Sequence, residues 1–207
     1  MPKNRFEAFS DGVFAIILTI LVLEIKVPHG ATFAALWPVL PVFLSYVLSF
    51  VYIGIYWNNH HHLLLSVKHI DGSSMWANLH LLFWLSLTPV ATGWMGENHF
   101  APATLALYGV ILLLAALAFT ILQRRLIACN GTASALVRAM GRDWKGKLSP
   151  VLYVVGIASS FFSSWVSGAC YVAVALLWLA PDRRIERALA ATQLAEQDAQ
   201  LAGSEGS

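Results

Sequence analysis

Apolar residues fall in six stretches, each near the roughly twenty residues that cross the hydrocarbon of a bilayer. They lie at about 8–26, 38–57, 76–95, 103–122, 149–164 and 167–181 of the 207-residue chain. The last two are short and separated only by Trp165 and its neighbours. The pattern predicts an all-α integral membrane protein with six transmembrane helices, a membrane domain over 1–181 and a cytoplasmic tail over 182–207. That tail, DRRIERALAATQLAEQDAQLAGSEGS, reads as a short helix fading into a Gly and Ser terminus.

Composition agrees. The chain is 58% hydrophobic and 12% charged, with mean hydropathy +0.66, whereas a soluble domain carries roughly 25% charged residues. The net charge of +2 matters less than where the basic residues stand. Lys3 and Arg5 precede the first span, and Lys68 lies between the second and third. Arg124, Arg125, Arg138, Arg142, Lys145 and Lys147 lie between the fourth and fifth, and Arg183, Arg184 and Arg187 follow the sixth. Only Lys26 falls on the opposite side, so the positive-inside rule places both termini in the cytoplasm.

Lys3 and Arg5 ahead of an apolar run imitate a signal peptide, but Asp11 and Glu24 within or beside that run argue against one. Trp37, Trp57, Trp76 and Trp94 near span ends read as interfacial anchors. Cys129 and Cys170 predict no disulfide. No internal repeat is evident.

On the first helix, Arg5, Phe9, Gly12, Ile16, Thr19, Ile20 and Leu23 fall within about 60° of Ile16 at 100° per residue. Ser10 and Asp11 lie off that stripe, at about 120° and 220°. A carboxylate in a membrane span needs a partner, so Ser10 and Asp11 are expected to face other helices of the same subunit. Candidate partners are Arg5, the run His60, His61 and His62, and His80 with Asn78. The alternative is that Asp11 only caps a helix beginning at Gly12, and that Arg5 is only a positive-inside anchor.

The other polar groups carry weaker signals. Three consecutive histidines point in three directions on a helix and lack a spaced carboxylate, so no metal site is predicted. Thr88, Pro89 and Thr92 are expected to mark a kink. Ser159, Ser160, Ser163, Ser164, Ser167 and Gly168 suit close helix packing. No phosphate-binding loop, GxSxG, HExxH or acid–base carboxylate pair is present, nor is the TVGYG filter of potassium channels. An enzyme, a cofactor and a nucleic-acid partner are therefore not expected.

The segment RFEAFSDGVFAIILTILVLEIKVP resembles the RxxxFSD signature of the transmembrane protein 175 family, the endosomal and lysosomal potassium channels and their single-repeat bacterial homologues. YWNNHHHLL, NLHLLFWLSLTPVATGWMGE and YGVILLLAALAFTILQRRL are similar to that family's second, third and fourth helices, in order. The resemblance implies a homotetramer of six-helix subunits in the cell membrane, with helix 1 around a central pore that passes K+ and other monovalent cations. It also implies a constriction at Ile16, with Ile20 and Leu23 further out, and a selectivity-setting hydroxyl at Thr19. Arg5, Ser10, Asp11 and His80 form the expected polar clasp that fixes helix 1. The rival reading is a proton-coupled transporter in which Asp11 and His80 carry protons.

Overall fold

The structure is a computed structural model, and it describes residues 2–130 and 144–179. Every element in that range is helical: α1 Lys3–Leu23, a 3-10 segment Phe33–Val39, α2 Leu40–Leu65, α3 Gly72–Ser86, α4 Thr88–Glu97, α5 Pro102–Asn130, α6 Trp144–Ser160 and α7 Ser164–Leu179. Arg138, Arg142 and the tail from Asp182 lie outside the described residues.

Three segments are long and apolar enough to cross a membrane: Lys3–Leu23, Phe33–Leu65 and Pro102–Asn130. At the bundle end holding the N-terminus, Asn130 closes α5 onto the loop after α2. Its Oδ1 accepts from the amides of Lys68 and His69, and its Nδ2 donates to the carbonyl of His69. At the opposite end Lys26, just past α1, pairs with Glu97 at the end of α4.

α1 starts at Lys3, five residues ahead of the expected boundary, because Phe6 buries its ring and continues the apolar face backward. Asp11 is therefore in mid-helix and caps nothing. α2 runs on through the three histidines to Leu65, since His60 finds a partner on α3 and His61 one on α1. The third span is broken: α3 ends at Ser86 and α4 begins at Thr88, with Pro89 in its first turn. Pro89 has no amide hydrogen to offer the preceding turn, so the continuous ladder stops there. The turn expected around Trp165 falls earlier, and Trp165 lies in the first turn of α7.

The core is held by tyrosines and hydroxyls as much as by aliphatics. Thr92 Oγ1 donates to the Thr88 carbonyl at 2.7 Å, which can only accept. Ser49 must then donate to Thr92, and Tyr108 to Ser49, at 2.7 and 3.0 Å. This ordered chain joins α2, α4 and α5 without an unpaired hydroxyl. Tyr171 of α7 fits between two glycines. A methyl group at Gly109 would come within 2.0 Å of its hydroxyl, and one at Gly156 within 2.5 Å of its ring. Larger residues at either position would force α5, α6 and α7 apart.

Candidate functional site

α1 divides lengthwise into two unlike faces. Phe6, Ser10, Phe14, Ile17 and Leu21 are buried; at 100° per residue they occupy about 80° to 160° from Ile16. Arg5, Phe9, Gly12, Ile16, Thr19, Ile20 and Leu23 are exposed. Ile16 is 58% accessible and Leu23 79%. A stripe this apolar and this open within one subunit must be covered by lipid, by other copies of the chain, or by the walls of a pore.

One side chain on the stripe differs in chemistry. Thr19 Oγ1 donates to the Ile16 carbonyl at 2.8 Å. With its proton turned inward, the hydroxyl presents lone pairs to the open face. An oxygen presented this way can accept on the open face but not donate there.

Behind the stripe, two polar ladders fix the rotation of α1. The first is fully buried. Ser10 Oγ donates to the Phe6 carbonyl at 3.0 Å, and Asn78 Nδ2 of α3 donates to Ser10 Oγ at 2.9 Å. That leaves Asn78 Oδ1 to accept from His60 Nε2 of α2, at 2.8 Å. The direction of every bond is then set, and His60 must be the Nε2–H tautomer. Its ring is stacked beside Phe6 and meets Phe14 at a tilt.

The second ladder joins α1 to α2 alone. Trp57 Nε1 donates to Asp11 Oδ1 at 3.0 Å, and His61 Nδ1 lies 3.1 Å from Glu7 Oε1. Trp57 and His61 are stacked, with centroids 6.1 Å apart. Glu7 and Asp11 are four residues apart, as are Trp57 and His61. On antiparallel helices that spacing brings two carboxylates against two ring N–H groups, one turn after the other.

The expected clasp is thus divided. Ser10 and Asp11 each bond to the rest of the subunit, on separate ladders. Arg5 is exposed on the stripe, and its side chain does not bond to Ser10, Asp11 or His80. His80 is exposed and accepts from Trp84 Nε1 of its own helix at 2.9 Å, because position 80 lies two residues off the face that Asn78 presents to α1. The groups that replace them are Asn78, His60, His61, Glu7 and Trp57. Trp57 was expected as an interfacial anchor, yet its N–H is spent on Asp11. Matching i, i+4 pairs of carboxylates and ring donors on consecutive spans is the sequence signal that would have found this ladder.

Among the described residues no three His, Cys, Asp or Glu side chains are placed to hold a metal ion. Cys129 and Cys170 are both free thiols.

Comparison with known proteins decides what such a helix belongs to. Residues 5–89 match the family model described as endosomal/lysosomal potassium channel TMEM175. The chain is 55% identical over 189 residues to a potassium channel of Chryseobacterium sp. (strain P1-3), covering 91% of this chain and 98% of that one. This chain belongs to the TMEM175 family. A protein of Chamaesiphon minutus named a potassium channel is 34% identical over 188 residues, covering 82% of this chain and 90% of that one. The crystal structure described as a lysosomal potassium-selective channel TMEM175 homologue from the same organism superposes with a TM-score of 0.68 at 30% identity, over 86% of this chain and 96% of that one. The human TMEM175, named an endosomal/lysosomal proton channel, matches over 80 residues at 42% identity, covering 33% of this chain and 16% of that one. TMEM175 proteins are ion channels of membranes and not enzymes.

Proposed function

We propose that this chain forms a potassium channel of the cell membrane, in which four copies place the open stripe of α1 around a central pore. The observation that carries the reading is the division of α1: its buried face is tied to α2 and α3 by two polar ladders, while Ile16, Thr19, Ile20 and Leu23 face outward unused. One subunit offers one such helix, and a closed ring of copies is what turns a stripe into a conduit.

Each subunit crosses the membrane six times, with α3 and α4 together making the third crossing. Both termini are cytoplasmic, on the strength of twelve basic residues against one. Ile16 forms the narrow ring, with Ile20 and Leu23 toward the outer mouth. Rings of branched alkyl side chains exclude water from a narrow pore, and widening or wetting them readmits ions. Permeation needs no TVGYG filter in this scheme. Thr19 oxygens, one turn beyond Ile16, replace part of the hydration of a K+ ion and favour it over Na+.

The transporter reading is weaker. Asp11 is bonded to Trp57 and His80 to Trp84, so the two groups share no partner through which a proton could pass between them.

Potassium flux from liposomes holding the purified protein tests the channel reading. Passive K+ release that needs no proton gradient is expected. Release that occurs only with a proton gradient would favour the transporter.

A further inference from the structure

We propose that the cleft between α2 and α7 binds one acyl chain of a membrane phospholipid, with the headgroup held at the bundle end that carries the α4–α5 turn. The cleft has a volume of about 730 Å³. Along α7 its wall runs from Ser164 to Leu179, about 22 Å at 1.5 Å per residue. That exceeds the ~15 Å of hydrocarbon in one leaflet, half of about 30 Å.

The distribution of polar groups selects the occupant. His99, Ser164 and Trp165 stand together at one end, in the α4–α5 turn and the first turn of α7. Trp165 is 89% exposed. Beyond them the wall is alkyl and aromatic, apart from Tyr171, whose hydroxyl donates to the Leu105 carbonyl at 3.0 Å. An apolar slot closed to polar partners along its length, with an imidazole, a hydroxyl and an indole N–H at its mouth, matches a molecule with an apolar tail and a hydrogen-bonding head. One wall belongs to a helix long and apolar enough to cross a membrane and the other to a shorter apolar helix, so in the proposed membrane topology phospholipid is the molecule present at high concentration.

Gly168 lies in the wall, and a methyl group built on it meets nothing within 4 Å. A larger side chain there enters the slot without displacing its own subunit. This inference rests on membrane residence and on the cleft, and not on the pore face of α1.

Native mass spectrometry of the full-length protein in detergent, titrated with palmitoyl-oleoyl-phosphatidylglycerol, counts the lipids retained per subunit. Wild type is expected to keep about one. Gly168→Phe from one wall and Leu44→Trp from the other should each lower retention at least fivefold while the oligomer mass and K+ flux persist. Unchanged retention in both variants would overturn the proposal. So would loss of the oligomer in both, which would assign the cleft to a contact between subunits.

Discussion

Asn78 and Ser10 meet at 2.9 Å, the amide of α3 donating to the hydroxyl of α1, and both side chains are almost wholly shielded. Asn78 also accepts from His60, so one side chain joins three helices. Removing it leaves the buried His60 Nε2 without an acceptor and takes from Ser10 its incoming donor, although Ser10 keeps its bond to the Phe6 carbonyl.

Asn78→Ala should therefore destabilise the subunit by about 1–3 kcal/mol, the cost of orphaning a buried ring N–H rather than of one exchanged hydrogen bond. Asn78→Asp keeps the acceptor for His60 but loses the donor to Ser10 and buries a carboxylate, so a loss at least as large is expected. Thermal unfolding of the purified variants in detergent ranks the two. Equal stability for Asn78→Ala and wild type would show that the ladder does not hold α1.

Asp11 and Trp57 should behave as a pair. Trp57→Phe and Asp11→Ala each delete the same 3.0 Å bond, and hydrogen bonds between membrane helices contribute about 0.6 to 2 kcal/mol. The double variant is expected to cost less than the sum of the singles, by a coupling of that size. Asp11→Asn retains an acceptor oxygen for the indole and should be milder than Asp11→Ala. Oligomer yield and melting temperature measure all four; strict additivity would mean that the contact carries no energy.

How much of this was legible beforehand follows from the kind of signal each feature leaves. The stripe on α1 is a periodicity, and the helix displays residues at 100° intervals whatever surrounds it, so Ile16, Thr19, Ile20 and Leu23 could be grouped without a structure. That Asp11 faces away from the stripe follows from the same geometry. Its partner does not: Trp57 or a histidine would serve equally by chemistry, and only the register of α1 against α2 decides. His80 and Asn78 are two residues apart, a separation of about 200° on a helix, so only one of them could face α1. The break at Leu87 was foreshadowed by Pro89, whereas the start of α1 at Lys3 was not, because Phe6 reveals its burial only once α2 is in place.

Thr19 should govern which cation passes more than whether any passes. Its hydroxyl proton is held by the Ile16 carbonyl at 2.8 Å, leaving the oxygen as an acceptor on the stripe. Thr19→Val removes that oxygen at nearly constant shape. The expected result in planar bilayers is a lower K+/Na+ permeability ratio with current retained. Thr19→Ser keeps the oxygen and should keep the ratio, and an unchanged ratio in Thr19→Val would move selectivity elsewhere.

The most direct test of the pore face compares two neighbours on α1. Ile16 is 58% accessible and Ile17 only 3%, so the same substitution samples the open and the packed face of one helix. Basal K+ flux should be measured in liposomes holding equal amounts of wild type, Ile16→Asn and Ile17→Asn. A ring of amides wets a constriction that a ring of alkyl groups keeps dry, so Ile16→Asn should raise basal flux in a protein that still assembles. Ile17→Asn buries an amide in the subunit core and should lower the yield of assembled protein instead. Raised flux in Ile17→Asn together with unchanged flux in Ile16→Asn would contradict the assignment of this face of α1 to the pore.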